Sequence, residues 1–179
     1  MAWGWSNVFK AYDKSGKRVL ASEVCGRIYS DDSGCYRIIY SKEFIKYNER
    51  ILPHDPRIVY IGASKGGESS SIIRRASDYL RDFERMYHHD SPGFILKQHF
   101  GYDFDSIYVQ FKVLESHKAM YFEDEQICKF ISKNGDWPIS HKLNDLNIPI
   151  RQSIKYGEAL HNLSKLSNPV EINLEGRLT

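Results

Sequence analysis

Hydrophobic positions along the chain fall into short periodic blocks separated by turn-forming residues. Val8-Phe9 and Val19-Leu20 flank Asp13-Lys14-Ser15-Gly16-Lys17, a turn cluster that predicts a hairpin in an otherwise irregular start. After a second turn at Asp31-Asp32-Ser33-Gly34, the run Cys35-Tyr36-Arg37-Ile38-Ile39-Tyr40 is β-branched and aromatic and predicts a first strand. Pro53 and Pro56 bracket another turn. Arg57-Ile58-Val59-Tyr60-Ile61-Gly62 then reads as a buried strand paired with the first.

From Gly66-Gly67 the period changes. Ser69, Ser70 or Ser71 is placed to cap a helix whose apolar positions Ile72, Ile73, Ala76, Tyr79, Leu80, Phe83, Met86 and Tyr87 recur at helical spacing. His88-His89-Asp90-Ser91-Pro92-Gly93 stops it, and a short helix from Phe94 to Phe100 ends at Gly101. Ile107 to Leu114 predicts a third strand. Lys118 to Ser132 predicts a helix with Ala119, Met120, Ile127, Phe130 and Ile131 on one side, ended by Gly135 and Pro138. Beyond Pro149, Ile154, Leu160, Leu163 and Leu166 predict one more amphipathic helix. The expected architecture is α/β (α+β), a small three-stranded antiparallel sheet flanked by helices.

Length and composition narrow the class. With 179 residues, 41% hydrophobic and 27% charged, the chain has room for one domain with a real core. A mean hydropathy of −0.51, with no run near the roughly 18–20 apolar residues of a membrane span, excludes disordered, collagenous, coiled-coil and membrane-spanning classes. Met1 to Lys10 shows no basic start followed by an apolar stretch, so a cytoplasmic protein is expected. Cys25, Cys35 and Cys128 form no CxxC pair, which excludes a disulfide framework and a thiolate zinc site. The net charge of +2 is too mild to diagnose a nucleic-acid binder. It is unevenly spread, however: Lys10, Lys14, Lys17, Arg18 and Arg27 crowd the start, and Asp103, Asp105, Glu115, Glu123, Asp124 and Glu125 crowd a later segment.

The candidate chemistry lies on the predicted strands and helices. Gly34-Cys35-Tyr36 opens the first strand and Tyr60-Ile61-Gly62 closes the second. The pair resembles the motif that gives the GIY-YIG nucleases their name, with Cys35 where the family usually has isoleucine. The following family helix carries an arginine with an aliphatic three residues before it and a Tyr or His four after; Ile72, Arg75 and Tyr79 have that spacing. The last family helix carries an alanine, a glutamate and an aliphatic at steps of four, matched by Ala119, Glu123 and Ile127, and Pro138 with Asn144 stand for its closing Pro and Asn. The linker holding Lys65-Gly66-Gly67-Glu68 is longer than usual, so Arg74 is the alternative to Arg75. The long segment between Tyr40 and Arg57 is similar to the restriction-enzyme branch. The resemblance spans about residues 34–147, leaving residues 1–33 as a basic extension and 148–179 as a helical tail.

What the resemblance implies is a DNA endonuclease dependent on Mg2+ (or Mn2+). Glu123 would be the metal ligand, Arg75 would face the scissile phosphate, Tyr36 would be general base with Tyr60 positioning water or phosphate, and Tyr79 and Lys65 would complete the catalytic set. The residues themselves point the same way. Glu123 sits between Met120 and Ile127 on an apolar helix face, where a carboxylate is costly unless paired or bound to a metal. A salt bridge to Lys112 or Lys118 is the other reading, and Glu125 the runner-up ligand. Arg75 is flanked by Ile72, Ala76 and Tyr79, and its planar fork suits a phosphate. A phenol of pKa about 10 serves as a base only beside a cation; Lys65, Arg75 and a divalent metal are the candidates. Most other features read as structural. His88-His89-Asp90 is a solvated helix end, although His141 near Asn144 could approach the site, and neither a Ser-His-Asp set nor a P-loop is present.

The implied partner is double-stranded DNA, contacted through Lys14, Lys17, Arg18, Arg74 and Asn144. A small stand-alone member of this kind resembles a type II restriction endonuclease, for which a homodimer on a palindromic site and a cognate methyltransferase in the same cell are expected. The alternatives are a structure-specific repair or phage-type nicking enzyme and a catalytically silent nucleic-acid-binding domain.

Overall fold

The computed structural model describes residues 4–19, 32–67, 70–84, 91–101 and 103–141. The helix predicted after Pro149, Asn144, Cys25, Arg27 and the helix stop at His88-His89-Asp90 lie outside the described residues. Four strands, β1 (Phe9–Lys10), β2 (Gly34–Tyr40), β3 (Ile58–Ser64) and β4 (Ile107–Val113), form a sheet in the order β1-β4-β2-β3, every neighbouring pair antiparallel. Helices α1 (Ile72–Glu84), α2 (Pro92–Phe100) and α3 (Ser116–Asn134) complete a mixed α/β fold. No described helix is long and apolar enough to cross a membrane.

The expected three strands are corrected to four. Phe9 pairs with Val109 and Lys10 with Tyr108, and two residues are too few to show a period of two. The start of the chain is therefore part of the core, with Val8, Phe9, Ala11 and Tyr12 all buried. The predicted hairpin is present beside it: Asp13 N–H donates to Lys17 O at 2.8 Å and Val19 N–H to Ala11 O at 2.9 Å, with Gly16 at φ 77° in the turn.

Side chains alternate across β2 and so feed two cores. Tyr36 and Ile38 face a cluster with Ile72, Ala76, Tyr79, Leu80 and Phe83 of α1, while Ile39 faces Ile127 and Phe130 of α3. On β3 the alternation is broken. Ile38 stands opposite Tyr60 but Ile39 opposite Ile58, so Val59 is an extra residue in the ladder. Ile58 consequently joins the α3 core while Tyr60, two residues on, packs against the α1 core. A bulge of this kind re-aims a side chain; here the side chain is Ile58, while Tyr60 stays in register opposite Ile38.

Both sheet-flanking helices follow their predicted patterns with local corrections. Ser71 is the cap among the three serines, its Oγ accepting Arg74 N–H at 3.3 Å ahead of α1. In α3 the buried stripe is Ala119, Glu123, Gln126, Ile127, Cys128 and Phe130, whereas Met120, expected on that face, is 41% exposed. The free thiols of Cys35 and Cys128 are buried, as small apolar side chains are.

Gly34 opens β2 at φ 150°, and a Cβ there would lie 2.1 Å from the Lys112 carbonyl oxygen. Gly34→Ala is therefore expected to destabilise the fold by more than about 2 kcal/mol in urea unfolding. Gly4→Ala, whose Cβ meets nothing within 4 Å, is expected to leave the midpoint unchanged.

Candidate active site

The site is assembled on the facing halves of β2 and β3. Tyr36 stands opposite Gly62 in the ladder, and its ring lies over that glycine so closely that a Cβ would be 2.7 Å from both Tyr36 Cζ and Oη. Regular pairing of Tyr60 with Ile38 puts Tyr60 on the same face, with ring centroids 6.0 Å apart. Tyr60 is held between two further rings: Tyr79 of α1 at 4.9 Å and His141 at 4.5 Å, the latter stacked at 18°. Those rings are themselves anchored. Tyr79 Oη lies 2.7 Å from Ser140 Oγ, and His141 Nε2 accepts the Ile61 N–H at 3.2 Å, which places the imidazole proton of the neutral ring on Nδ1.

Glu123 comes to this cluster from α3 and is only 7% exposed. Its charge raises the pKa of Tyr36, Tyr60 and Cys35, whereas the charge of Arg75, an exposed residue in the first turns of α1, lowers those of Tyr36 and Tyr60. Four groups from four elements thus share one electrostatic neighbourhood. Of the two arginines left open by the spacing, it is Arg75 whose charge acts on both phenols. Of the two glutamates, Glu125 pairs with Lys129 on the outer side of α3. The lysines considered as partners of Glu123 have other contacts: Lys118 pairs with Glu115 at 2.8 Å, and Lys112 Nζ lies 4.5 Å from the Phe122 ring centre.

Burial pushes the Tyr36 phenol well above its usual range, with Tyr60 and Glu123 adding to the rise and Arg75 opposing it. Tyr60 is pushed up to about 12, chiefly by burial and then by Glu123, while its hydrogen bond with Tyr36 acts the other way. At neutral pH both phenols are protonated, and the protein alone does not supply the base that the resemblance implies for Tyr36. Tyr79 is likewise raised by burial, and its hydroxyl is occupied by Ser140.

The donor set suits one divalent ion class. Among the described residues no group of three or more His, Cys, Asp or Glu side chains converges, which does not suit zinc. Mg2+ takes one or two carboxylates together with waters and substrate phosphate oxygens, and a single buried carboxylate whose charge acts on the same two phenols as an arginine fits that habit.

Other expected site residues lie elsewhere. Lys65 is exposed just beyond β3, and Arg74 is exposed on α1. Arg18 grips Glu84 at the last residue of α1, with Nε and Nη2 donating to the two carboxylate oxygens at 2.8 and 2.6 Å. Gly16 packs on Phe104, close ahead of Ile107, which pairs with Tyr40 at the far end of β2. The exposed Lys14 and Lys17 therefore sit at the end of the molecule opposite the start of α1 and the Gly34–Ser64 pair. The resemblance did not supply His141 or Ser140; the nearness of His141 to Asn144 in the chain was the sequence signal for it. Compared with known proteins, the chain matches no family model, no curated protein and no solved structure.

A phenol in the unfolded chain ionises at about 10, so the stabilisation held by neutral Tyr60 is complete below that pH and is lost as pH rises through about 12. Urea stability is expected to fall across this window, and to fall less steeply in Tyr60→Phe. Parallel curves for the two proteins would mean that Tyr60 titrates as an ordinary exposed phenol.

Proposed function

We propose that the chain is a magnesium-dependent DNA endonuclease of GIY-YIG type and, within that class, a type II site-specific restriction endonuclease. The observation that carries the reading is the convergence of Tyr36, Tyr60, Arg75 and Glu123 from β2, β3, α1 and α3 on one electrostatic neighbourhood. These are the residue types that phosphodiester hydrolysis needs: a carboxylate for the metal, a cation for the phosphate and hydroxyls to handle water.

Glu123 would hold the Mg2+ or Mn2+ ion; bound there, the ion supplies positive charge against the scissile phosphate and a more acidic water. Arg75, exposed and bordering both phenols, is placed to meet the same phosphate with its planar fork. Tyr60, fixed between Tyr79 and His141, directs its hydroxyl without rotating. Tyr36 becomes a base only against added positive charge, and Arg75 already acts in that sense. Tyr79 serves in this reading by positioning Tyr60, since its own hydroxyl is bound to Ser140. Lys65, one turn beyond β3, stands at the approach to the site.

Recognition of double-stranded DNA then draws on surfaces other than Arg18, which is committed to Glu84. The loop after β2 exposes Lys42, Lys46 and Arg50 beside Phe44 and Tyr47, a mixture of cations and aromatic faces that suits phosphates and bases. A homodimer on a palindromic site and a cognate methyltransferase belong to the same proposal.

Purified protein with Mg2+ is expected to nick and linearise supercoiled plasmid, and Glu123→Gln to lower the rate by about 100-fold or more while remaining folded by circular dichroism. Glu125→Gln is expected to retain activity. Full activity in Glu123→Gln would sink the reading. Discrete bands from a long duplex are the expected mark of a site-specific cutter, and a smear would remove the restriction assignment.

A further inference from the structure

On the opposite face of β2 from Tyr36, Arg37 is the largest fully buried side chain of the described residues, at 1% exposure. Its guanidinium is partly satisfied: Nε donates to Gln110 Oε1 at 2.9 Å, Nη2 donates to the Ile51 carbonyl at 2.7 Å, and the Trp5 ring covers it with its centre 4.1 Å away. Nη1, however, is enclosed and has no acceptor among the described residues. The side chain lines a pocket of about 420 Å3 between residues 4–7 and 48–53, with Asn48 and Arg50 exposed at its rim. That volume is in the range of small-molecule sites.

The local charge is uncompensated. The nearest carboxylate acting on Arg37 is Asp55, but Asp55 binds Arg57 at 2.8 Å, and Glu49, also on the pocket wall, binds Arg57 at 2.7 Å. Burial accordingly pulls the guanidinium down to about 9, with Asp55 countering only in part. A buried cation with one unused donor is costly unless negative charge lies near it. Gln110 does not supply that charge: it is neutral, its Oε1 already accepts from Arg37 Nε, and its Nε2 donates to Ser6 O at 2.9 Å.

We infer that this pocket binds a small organic oxyanion, a phosphate or a carboxylate, held by the charge of Arg37 in its wall and of Arg50 at its mouth. The site lies on the other face of the sheet from the tyrosine cluster and does not depend on the nuclease reading. The chemistry is that of an oxyanion drawn by two guanidiniums; which head group it carries is for the ligand series to decide.

The test is calorimetric titration of the purified full chain with inorganic phosphate and, separately, with benzoate, at constant ionic strength against chloride. Saturable binding of at least one probe is expected, at one site per chain. Arg37→Met, which replaces the buried charge by an apolar chain of similar length, and Asn48→Trp, which closes the mouth from an exposed position, are each expected to weaken it by about tenfold or more. Glu123→Gln is expected to bind as wild type, which separates this pocket from the candidate active site. Binding of phosphate alone assigns a phosphorylated ligand, and binding of benzoate alone a carboxylate. Saturation by neither probe, or binding that survives Asn48→Trp, overturns the proposal, and the second variant keeps the test valid if Arg37→Met fails to fold.

Discussion

The packing of the Tyr36 ring on Gly62 is the contact from which the candidate site is built. Because no Cβ fits beneath the ring, Tyr36 can lie across its neighbouring strand instead of standing upright in the α1 core. That posture brings its hydroxyl to the hydroxyl of Tyr60 and within reach of the charges of Glu123 and Arg75. Regular pairing of Ile38 with Tyr60 keeps Tyr60 on the face of Tyr36, and the bulge at Val59 follows only beyond it, turning Ile58 to the α3 side. One missing side chain thus sets the posture of Tyr36, and one extra residue ends the regular ladder just past Tyr60.

These two features differ in how far they could be read in advance. Gly62 was legible as the end of an apolar run, and the order of strands and helices followed from β-branched runs and helical periods that the structure keeps. The bulge was not legible, because an apolar strand buried on both faces carries no alternation whose break could be noticed. The same holds for β1, where Phe9–Lys10 is fixed by its partner β4 and not by its own pattern. Arg37 is a third case: a charged residue within a strand reads as solvent-facing, and only the tertiary placement of Trp5 and Gln110 buries it. Glu123 and Arg75 were singled out as candidates by spacing. Their distinction from Glu125 and Arg74 needed the charges around each side chain.

The charge segregation along the sequence also changes meaning in three dimensions. The basic start and the acidic segment from Asp103 are joined directly, for Lys10 pairs with Asp105 and Arg18 holds the end of α1 through Glu84. Asp103 accepts from Tyr40 Oη at 2.9 Å and Ser106 Oγ at 2.7 Å, which ties the same end of the sheet together. Much of the apparent DNA-facing charge is spent inside the fold, at the end remote from Tyr36. The polarity that remains is local, an arginine and a carboxylate on either side of two neutral phenols.

The pairing of Phe9 with Val109 joins residues a hundred positions apart. On the ribosome, then, the first strand to be synthesised is the last of the sheet to find its partner: Val8, Phe9 and Tyr12 leave the tunnel with their core not yet made. Until β4 emerges, these apolar side chains and the future β4-facing edge of β2 stand open to other chains. The nascent protein is vulnerable until that pairing forms, and contacts of such long sequence separation are slow to close compared with the local contacts of the helices.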